Sequence, residues 1–596
     1  MLPLLLALVL AAPLAGCGLF GSEPRPEDAL RTFLDGLGAG DTAGAAQVTD
    51  NPQAAQSTLD AVRRSLKPEA LRSEIKQVRA ASGAATAEAT VGLAWELGRE
   101  RRWSYDTTVE LRRSADRWTV HWSPKVLHPR LSAQQTMVVR EQQPEPAPLL
   151  DREGVPLLTP QQVISVLLDR GKAGDVATVA AALAGALNQF DGSITATSIL
   201  EGANRTPEGQ AYVVAVLRES DYQRVKPQIY DLPGVRFTTQ TRLLAVDRGL
   251  GAQVLPALRQ ALEDRLAGSA GWRVVAVDAA GGETQTLHEV PAQPAPAVNA
   301  ALSRQVQAVA EDAVEPVSQQ AVLVAIQPST GDILAVAQNG PADAAGPISL
   351  IGRYPPGSTF KIVTAAAALQ EDLVSVDTPV GCPGTWIIQG RLIPNDNRFD
   401  LGTVPLSTAF ARSCNTTFAE LATRLPANSL TETARQLGLG VDFVVPGVTT
   451  VTGSVPPAED VVERAEDGFG QGKVLASPFG MALVAATVAR GEMPTPVLVR
   501  GERTQVDAVP RPLPASVLDG VRTMMREVVT AGTATRLAEL GEVYGKTGTA
   551  QFGDGSRSHG WFVGYRGDLA FAVLVVDAGT SAPAVEVAAR FLAAVG

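Results

Sequence analysis

The chain has 596 residues, 45% of them hydrophobic and 19% charged, and a formal net charge of −11. That length predicts several domains, because single cores rarely exceed about 250–300 residues. An acidic chain without a basic run excludes nucleic acid as a partner, since that binding rests on Lys and Arg neutralising phosphates, and no long tract is poor enough in apolar residues to be disordered.

The chain opens on MLPLLLALVLAAPLAGCGLFGSEPRPED, an uncharged apolar run of signal-peptide length. Leu14-Ala15-Gly16-Cys17 ends it and resembles a bacterial lipobox, in which the cysteine sulfur takes a diacylglyceryl group. Residues 1–17 are therefore expected as a lipoprotein signal peptide, lipidated at Cys17. Two acyl chains anchor stably where one is marginal. The alternative is an uncleaved anchor helix over 1–20, barely long enough to span. Both put the rest of the chain outside the cytoplasmic membrane. No Lys or Arg precedes the apolar run, which leaves an upstream start open.

Residues 25–147 read as a small α+β unit. EDALRTFLDGLGAGD has apolar residues at helical spacing and a glycine stop, and a second helix is expected around Ala54–Leu66. TAEATVGLAWEL, WSYDTTVELRR and RWTVHW alternate as an antiparallel meander should. The Pro-rich EQQPEPAPLL ends the unit. From 151 to 298 the pattern is mixed. TPQQVISVLLDRG reads as a helix with Thr159 and Pro160 as cap and first turn, GDVATVAAALAGALNQF as a second helix, and QAYVVAVLR and VRFTTQTRLLAV as strands. VPAQPAPAVN is the next linker. Residues 300–596 alternate strands and apolar helices, with QQAVLVAIQPSTGDILAVAQ as strand–turn–strand, WFVGYRGDLAFAVLVVD as a second strand pair and SPFGMALVAATVARG as a buried helix.

Within this last domain, Ser358 and Lys361 lie three residues apart in YPPGSTFKIVTAAAALQ. The spacing alone is weak, for Ser73-Glu74-Ile75-Lys76 repeats it in what reads as a polar helix. The context differs: two prolines and a glycine force a turn, and strong helix formers follow. Ser358 is thus expected at a helix N-terminus with Lys361 one turn on, on the same face. Ser413-Cys414-Asn415 reads in isolation as a helix cap. Lys546-Thr547-Gly548-Thr549 reads either as a glycine turn or as an edge strand presenting a cation and hydroxyls, with a glycine admitting a substrate backbone. Only eight of the 51 basic residues are lysine, and two of those eight stand in these motifs. Lysine can lose its proton at accessible pH and arginine cannot.

Three cysteines, no C-x-x-C and four scattered histidines (His121, His128, His288, His559) offer nothing for a structural zinc site. The sequence leaves Cys382 and Cys414 either paired or free. Read singly, Cys414 is a small apolar filler rather than a reactive thiol. Asp554 and His559 read as loop and strand-start residues, with His559 a weaker candidate for a substrate contact.

Ser358-x-x-Lys361, Ser413-x-Asn415 and Lys546-Thr547-Gly548 together resemble the motif set of penicillin-binding proteins and serine β-lactamases. With PSTGDILA, GFGQGKVLASP and HGWFVGY, the chain resembles a class B penicillin-binding protein, a peptidoglycan D,D-transpeptidase. The resemblance makes 300–596 the transpeptidase domain. It makes 151–298, opening on DREGVPL, a pedestal or dimerisation domain, and the N-terminal unit an NTF2-like domain. With Cys17, the type is the penicillin-binding lipoprotein of actinobacteria.

The resemblance implies a multidomain α+β protein on the outer face of the cytoplasmic membrane, with no cofactor. Its partners would be stem peptides, as D-Ala-D-Ala donor and amine acceptor, β-lactams, and a membrane glycosyltransferase. Ser358 is implied as nucleophile and Lys361 as base. Ser413 would relay a proton and Asn415 would orient Lys361. Lys546, Thr547 and Thr549 would bind the substrate carboxylate, with Gly548 beside them. The N–H groups of Ser358 and Thr549 would form the oxyanion hole. Two alternatives stand beside this. One is a D,D-carboxypeptidase or serine β-lactamase on the same fold, although the Glu-x-x-Leu-Asn setting of class A β-lactamases is absent. The other is a non-catalytic β-lactam sensor or scaffold, for which nothing requires all three motifs to be intact.

Overall fold

In a computed structural model of the chain, residues 24–115 and 117–596 are described. The signal-peptide or anchor-helix reading of 1–17 or 1–20, and Cys17 with it, lie outside these residues. Among the described residues no helix is long and apolar enough to cross a membrane.

The chain divides into two units. The first runs to Pro144 and also takes in Ser269–Gln293. Its helices Pro26–Ala39 and Pro52–Leu66 each start on a proline, whose missing N–H costs nothing in a first turn. Leu30, Phe33, Leu34 and Leu37 form the buried stripe of the first. Four antiparallel strands follow in sequence order, Ala70–Ala80, Thr86–Glu96, Arg102–Ser114 and Arg117–Val120. Strict alternation puts Ala87, Ala89, Val91, Leu93 and Trp95 on the core side of the second. Ser73 and Lys76 belong to the first strand rather than to a helix, and Lys76 reaches Asp106 at 2.6 Å on the surface. Pairing with the neighbouring strand overrides the helical propensity of that polar run.

Two strands of this unit come from far along the chain. Thr136–Gln142 pairs with Gly271–Val277, which pairs in turn with Glu283–Val290. The segment expected as one continuous domain, 151–298, is therefore interrupted: its residues 269–293 fold with the N-terminal unit. Trp272, Val274, Ala276 and Leu287 bury their side chains in that unit's core, which is the physical reason.

The second unit holds Glu145–Gly268 and Pro294–Gly596. Its first surprise is Pro156–Leu168, a 13-residue strand where a helix capped by Thr159 and Pro160 was expected. Val163, Ile164, Val166 and Leu168 are all buried, too continuous for one helical stripe and suited to a strand covered on both faces. It pairs with Tyr212–Arg218 on one side and Val235–Ala245 on the other. Pro160 falls where only the second partner is in register, so its missing donor breaks no second ladder. Helices Val176–Leu187, Ala196–Arg205 and Glu219–Ile229 complete this part.

The remainder is built on a five-stranded antiparallel sheet in the order Ile333–Gln338, Ala321–Ile326, Leu569–Val575, Arg557–Arg566, Val543–Phe552. Every residue of Ala321–Ile326 and Ile333–Gln338 is buried, so helices cover both faces. Arg304–Val314, Pro478–Arg490 and Ala582–Val595 pack on these strands. Val543–Phe552 is an edge strand, and it carries Lys546–Thr549.

Candidate active site

Pro355 and Pro356 fix the backbone ahead of Gly357, whose φ of +53° is a left-handed value that glycine adopts freely. A Cβ on Gly357 would stand 2.8 Å from the Thr549 carbonyl oxygen, so the glycine also lets this turn press against the edge strand. The same close approach explains Gly548, where a Cβ would lie 2.9 Å from the Pro356 oxygen. Residues Gly357–Phe360 form a 3₁₀ turn that runs into the α-helix Lys361–Gln370. Ser358 stands half-buried on that first turn, and Lys361, one turn on, is fully buried.

Lys361 Nζ is the hub. It lies 3.0 Å from Ser358 Oγ, 2.7 Å from Asn415 Oδ1, 2.8 Å from the Ser413 carbonyl oxygen and 3.2 Å from Ser413 Oγ. Lys546 Nζ donates to Ser413 Oγ at 2.9 Å and to the Thr547 carbonyl at 3.0 Å. The Ser413 hydroxyl thus bridges the two lysines. The Phe418 and Phe410 rings lie 5.6 Å from Lys361 Nζ and Lys546 Nζ respectively.

Both lysines are fully buried, and among the described residues no carboxylate is a hydrogen-bond partner of either. Desolvation, and then the neighbouring Lys546, pull the Lys361 pKa well below its ordinary value. Desolvation lowers Lys546 to about 7. A neutral amine has two protons and one lone pair. Two donations satisfy Asn415 Oδ1 and the Ser413 carbonyl, both pure acceptors. The lone pair is then free to accept the Ser358 hydroxyl proton.

The Ser413 backbone is strained, with φ +65° at a non-glycine residue, a cost of about 1–3 kcal/mol that its surroundings must offset. The surroundings are specific. Cys414 N–H donates to Ala409 O at 2.9 Å, and Cys414 is disulfide-bonded to Cys382. The pairing left open by the sequence is thus made, and Cys414 is neither a lone filler nor a free thiol. Asn395, 2% exposed, accepts from Asn415 N–H at 2.8 Å and Thr416 N–H at 3.1 Å through Oδ1. Its Nδ2 donates to the Pro383 and Phe399 carbonyls, each at 2.9 Å. It thus caps, from another segment, the helix Asn415–Arg424, which has no side-chain cap of its own. Ser413 is not that cap.

Thr547 Oγ1 lies 2.6 Å from Thr533 Oγ1, while Thr549 is exposed on the same strand. Three supporting residues escape the sequence reading. Asn395 and Thr533 carry no local pattern. Gly470, inside the quoted GFGQGKVLASP, accepts from Gly357 N–H at 3.0 Å, and a Cβ on it would lie 2.1 Å from the Gly357 oxygen. The loop residue Asp554 and the weaker candidate His559 fall outside the network. Asp554 accepts from Ser556 N–H in the turn after the edge strand. His559 is stacked on Phe552 at 4.1 Å and accepts from Asp577 N–H, so its ring is spent on packing, and burial lowers its pKa to about 4.

Residues 321–595 match the penicillin binding protein transpeptidase domain, and residues 25–135 match the NTF2-like N-terminal transpeptidase domain. The chain is 28% identical over 292 residues to the peptidoglycan D,D-transpeptidase PbpA of Mycobacterium tuberculosis, covering 41% of this chain and 58% of that protein. To PbpA of Mycolicibacterium smegmatis it is 30% identical over 247 residues, covering 38% and 50%. To the peptidoglycan D,D-transpeptidase MrdA of Acinetobacter baumannii it is 24% identical over 517 residues, covering 72% and 76%. The chain thus spans little more than half the length of the PbpA relatives. A solved complex between PBP2 and MreC from Helicobacter pylori shares the fold, with a TM-score of 0.59 at 18% identity over 77% of this chain and 98% of that one.

Proposed function

We propose that this chain, a class B penicillin-binding protein by its transpeptidase and NTF2-like domains, is a serine D,D-transpeptidase that cross-links peptidoglycan stem peptides. One observation carries the proposal: the continuous path Ser358 Oγ, Lys361 Nζ, Ser413 Oγ, Lys546 Nζ, with steps of 3.0, 3.2 and 2.9 Å.

A serine hydroxyl is a weak nucleophile until a base takes its proton. Lys361, whose proton is disfavoured by burial and by Lys546, takes it as Ser358 Oγ attacks the carbonyl of the D-Ala-D-Ala bond. The backbone N–H groups of Ser358 and Thr549 receive the developing oxyanion, a contribution of about 10²–10³ in rate per donor. The C–N bond breaks, and the proton passes from Lys361 through the Ser413 hydroxyl to the departing D-Ala amine. An amine of a second stem peptide attacks the ester and gives up a proton by the same route, and Ser358 regains it. Lys546 as ammonium, with Thr547 and Thr549, holds the terminal carboxylate beside Gly548. Asn415 keeps Lys361 aimed at Ser358. β-Lactams enter as substrate mimics and stall as acyl-enzymes.

The test is covalent labelling by a fluorescent penicillin. Ser358→Ala abolishes it, Lys361→Ala slows it by about 10²–10⁴, and Ser73→Ala leaves it unchanged. Labelling that persists in Ser358→Ala removes Ser358 as nucleophile, and rapid turnover to free penicilloate makes the protein a β-lactamase instead. Transfer of the acyl group from Ser358 to water rather than to a supplied acceptor amine makes it a carboxypeptidase. The same proposal places the protein on the outer face of the cytoplasmic membrane, held through Cys17 or a helix over 1–20, beside a membrane glycosyltransferase. Incorporation of labelled palmitate that is lost in Cys17→Ala supports the lipid anchor, and none in the native chain favours the helix.

A further inference from the structure

The second unit contains a cavity of about 710 Å³ far from Ser358 in the chain, between the strand Tyr212–Arg218, the strand Val235–Ala245 and the helices beside them. Four arginines line it: Arg218, Arg242, Arg248 and Arg259. Only Arg248 is paired among the described residues, with Asp221. Arg218 donates to two neutral acceptors, Gln161 Oε1 at 2.9 Å and the Ala245 carbonyl at 2.8 Å. Arg259 donates to the Leu243 carbonyl. Arg242 forms no ion pair among the described residues.

The strand register brings these groups to one place. Gln161 stands opposite Arg242, and its side chain holds Arg218 from the strand on the other side. The second carboxylate of the lining, Asp191, is committed to the N–H and hydroxyl of Ser193 at 2.9 and 2.6 Å. Burial, then repulsion from Arg248, depresses the Arg218 pKa, with Asp247 opposing. Asp247 itself is held by Arg304 at 2.7 Å. A chain with eleven excess negative charges has thus gathered three guanidinium groups without carboxylate partners around one hollow. Such a group of like charges is relieved by an anion, and guanidinium forks match phosphate oxygens two at a time. Phe190 and Tyr212 give the same cavity an apolar wall.

We propose that this cavity binds a phosphate group through Arg218, Arg242 and Arg259, with the organic part of the ligand against Phe190 and Tyr212. Two sources share this chemistry, a soluble or polymer-borne phosphate ester and an anionic phospholipid headgroup. The site uses no residue of the transpeptidase machinery, so it stands or falls independently of that reading.

Calorimetric titration of the full chain with inorganic pyrophosphate tests it. Binding is expected in the millimolar range or tighter at low ionic strength, weakening as salt rises. The double variant Arg242→Gln/Arg259→Gln should lose at least tenfold in affinity and still label with fluorescent penicillin at the native rate, which shows that the fold survives. Co-sedimentation with phosphatidylglycerol vesicles, but not phosphatidylcholine, and its competition by pyrophosphate, assigns the headgroup. Pyrophosphate binding without vesicle binding assigns the soluble ester. No pyrophosphate binding by the native chain, equal affinity in the double variant, or binding of polyglutamate but not pyrophosphate overturns the proposal.

Discussion

In the role proposed for it, Lys546 has two demands on it that pull in opposite directions. To hold a carboxylate it must be an ammonium, and burial with no carboxylate partner brings its pKa down to about 7. An incoming carboxylate supplies the missing counter-charge and raises that pKa, so binding and protonation are linked. At pH 8 the free group is mostly neutral, and binding a carboxylate-bearing penicillin should take up close to one proton. At pH 5 the group already carries its proton and uptake should vanish. Proton uptake followed with an indicator dye in weak buffer measures this, and Lys546→Met should show none at either pH. The sign for stability follows from the same shift. Between about pH 7 and 10.5 the folded chain binds fewer protons at Lys546 than the unfolded chain, so this group's contribution makes stability rise with pH across that window. The slope of melting temperature against pH should therefore be smaller in Lys546→Met than in the native chain.

Elements set the geometry that these side chains share. The Ser413–Asn415 turn is clamped twice, by Asn395 and by the Cys382–Cys414 disulfide. Asn395→Ala leaves the half-buried Asn415 and buried Thr416 N–H groups without this acceptor, at about 1–3 kcal/mol for the buried one. The melting temperature should fall by about 5 °C or more. The acylation rate should fall with it, as Asn415 loses its hold on Lys361; stopped-flow acylation at a temperature where the variant is fully folded separates the two effects. The disulfide closes a loop with a sequence separation of 32 residues, worth about 3–4 kcal/mol by chain entropy. Cys382→Ala/Cys414→Ala should unfold at correspondingly lower denaturant. The motif residues were legible because each motif is local: a turn before a helix, a tripeptide, a glycine-bearing strand. Asn395 and Gly470 were not, because their partners lie 20 and 113 positions away in sequence. The two misread segments fail for a related reason. Ser73–Lys76 and Pro156–Leu168 have patterns compatible with helix, and only strands contributed from elsewhere make them sheet.

At the scale of the whole molecule, the chain leaves the second unit after Gly268 and returns to it at Pro294. No local pattern announces this, since Thr136–Gln142 finds its partner, Gly271–Val277, 129 to 141 residues later (271 − 142 and 277 − 136). The consequence is that the N-terminal unit cannot be removed by truncation alone. A chain beginning at Glu145 would keep the hairpin Gly271–Val290 while losing the strand and core that cover Trp272, Val274 and Leu287. An unpaired strand edge with exposed apolar side chains associates, so this chain should elute as aggregate in size-exclusion chromatography. Removing Ser269–Gln293 as well should restore a well-behaved protein. Ser269 and Gln293 exchange backbone hydrogen bonds of 2.9 Å in both directions, so Gly268 and Pro294 are near neighbours and a linker of about two or three residues spans them. All the motif residues, both flanking glycines and Asn395 lie within the retained segments. The excised chain should therefore acylate with penicillin at close to the native rate. Loss of acylation in a monomeric, folded excised chain would mean that the N-terminal unit acts on the active site and is more than a separate body on the same chain.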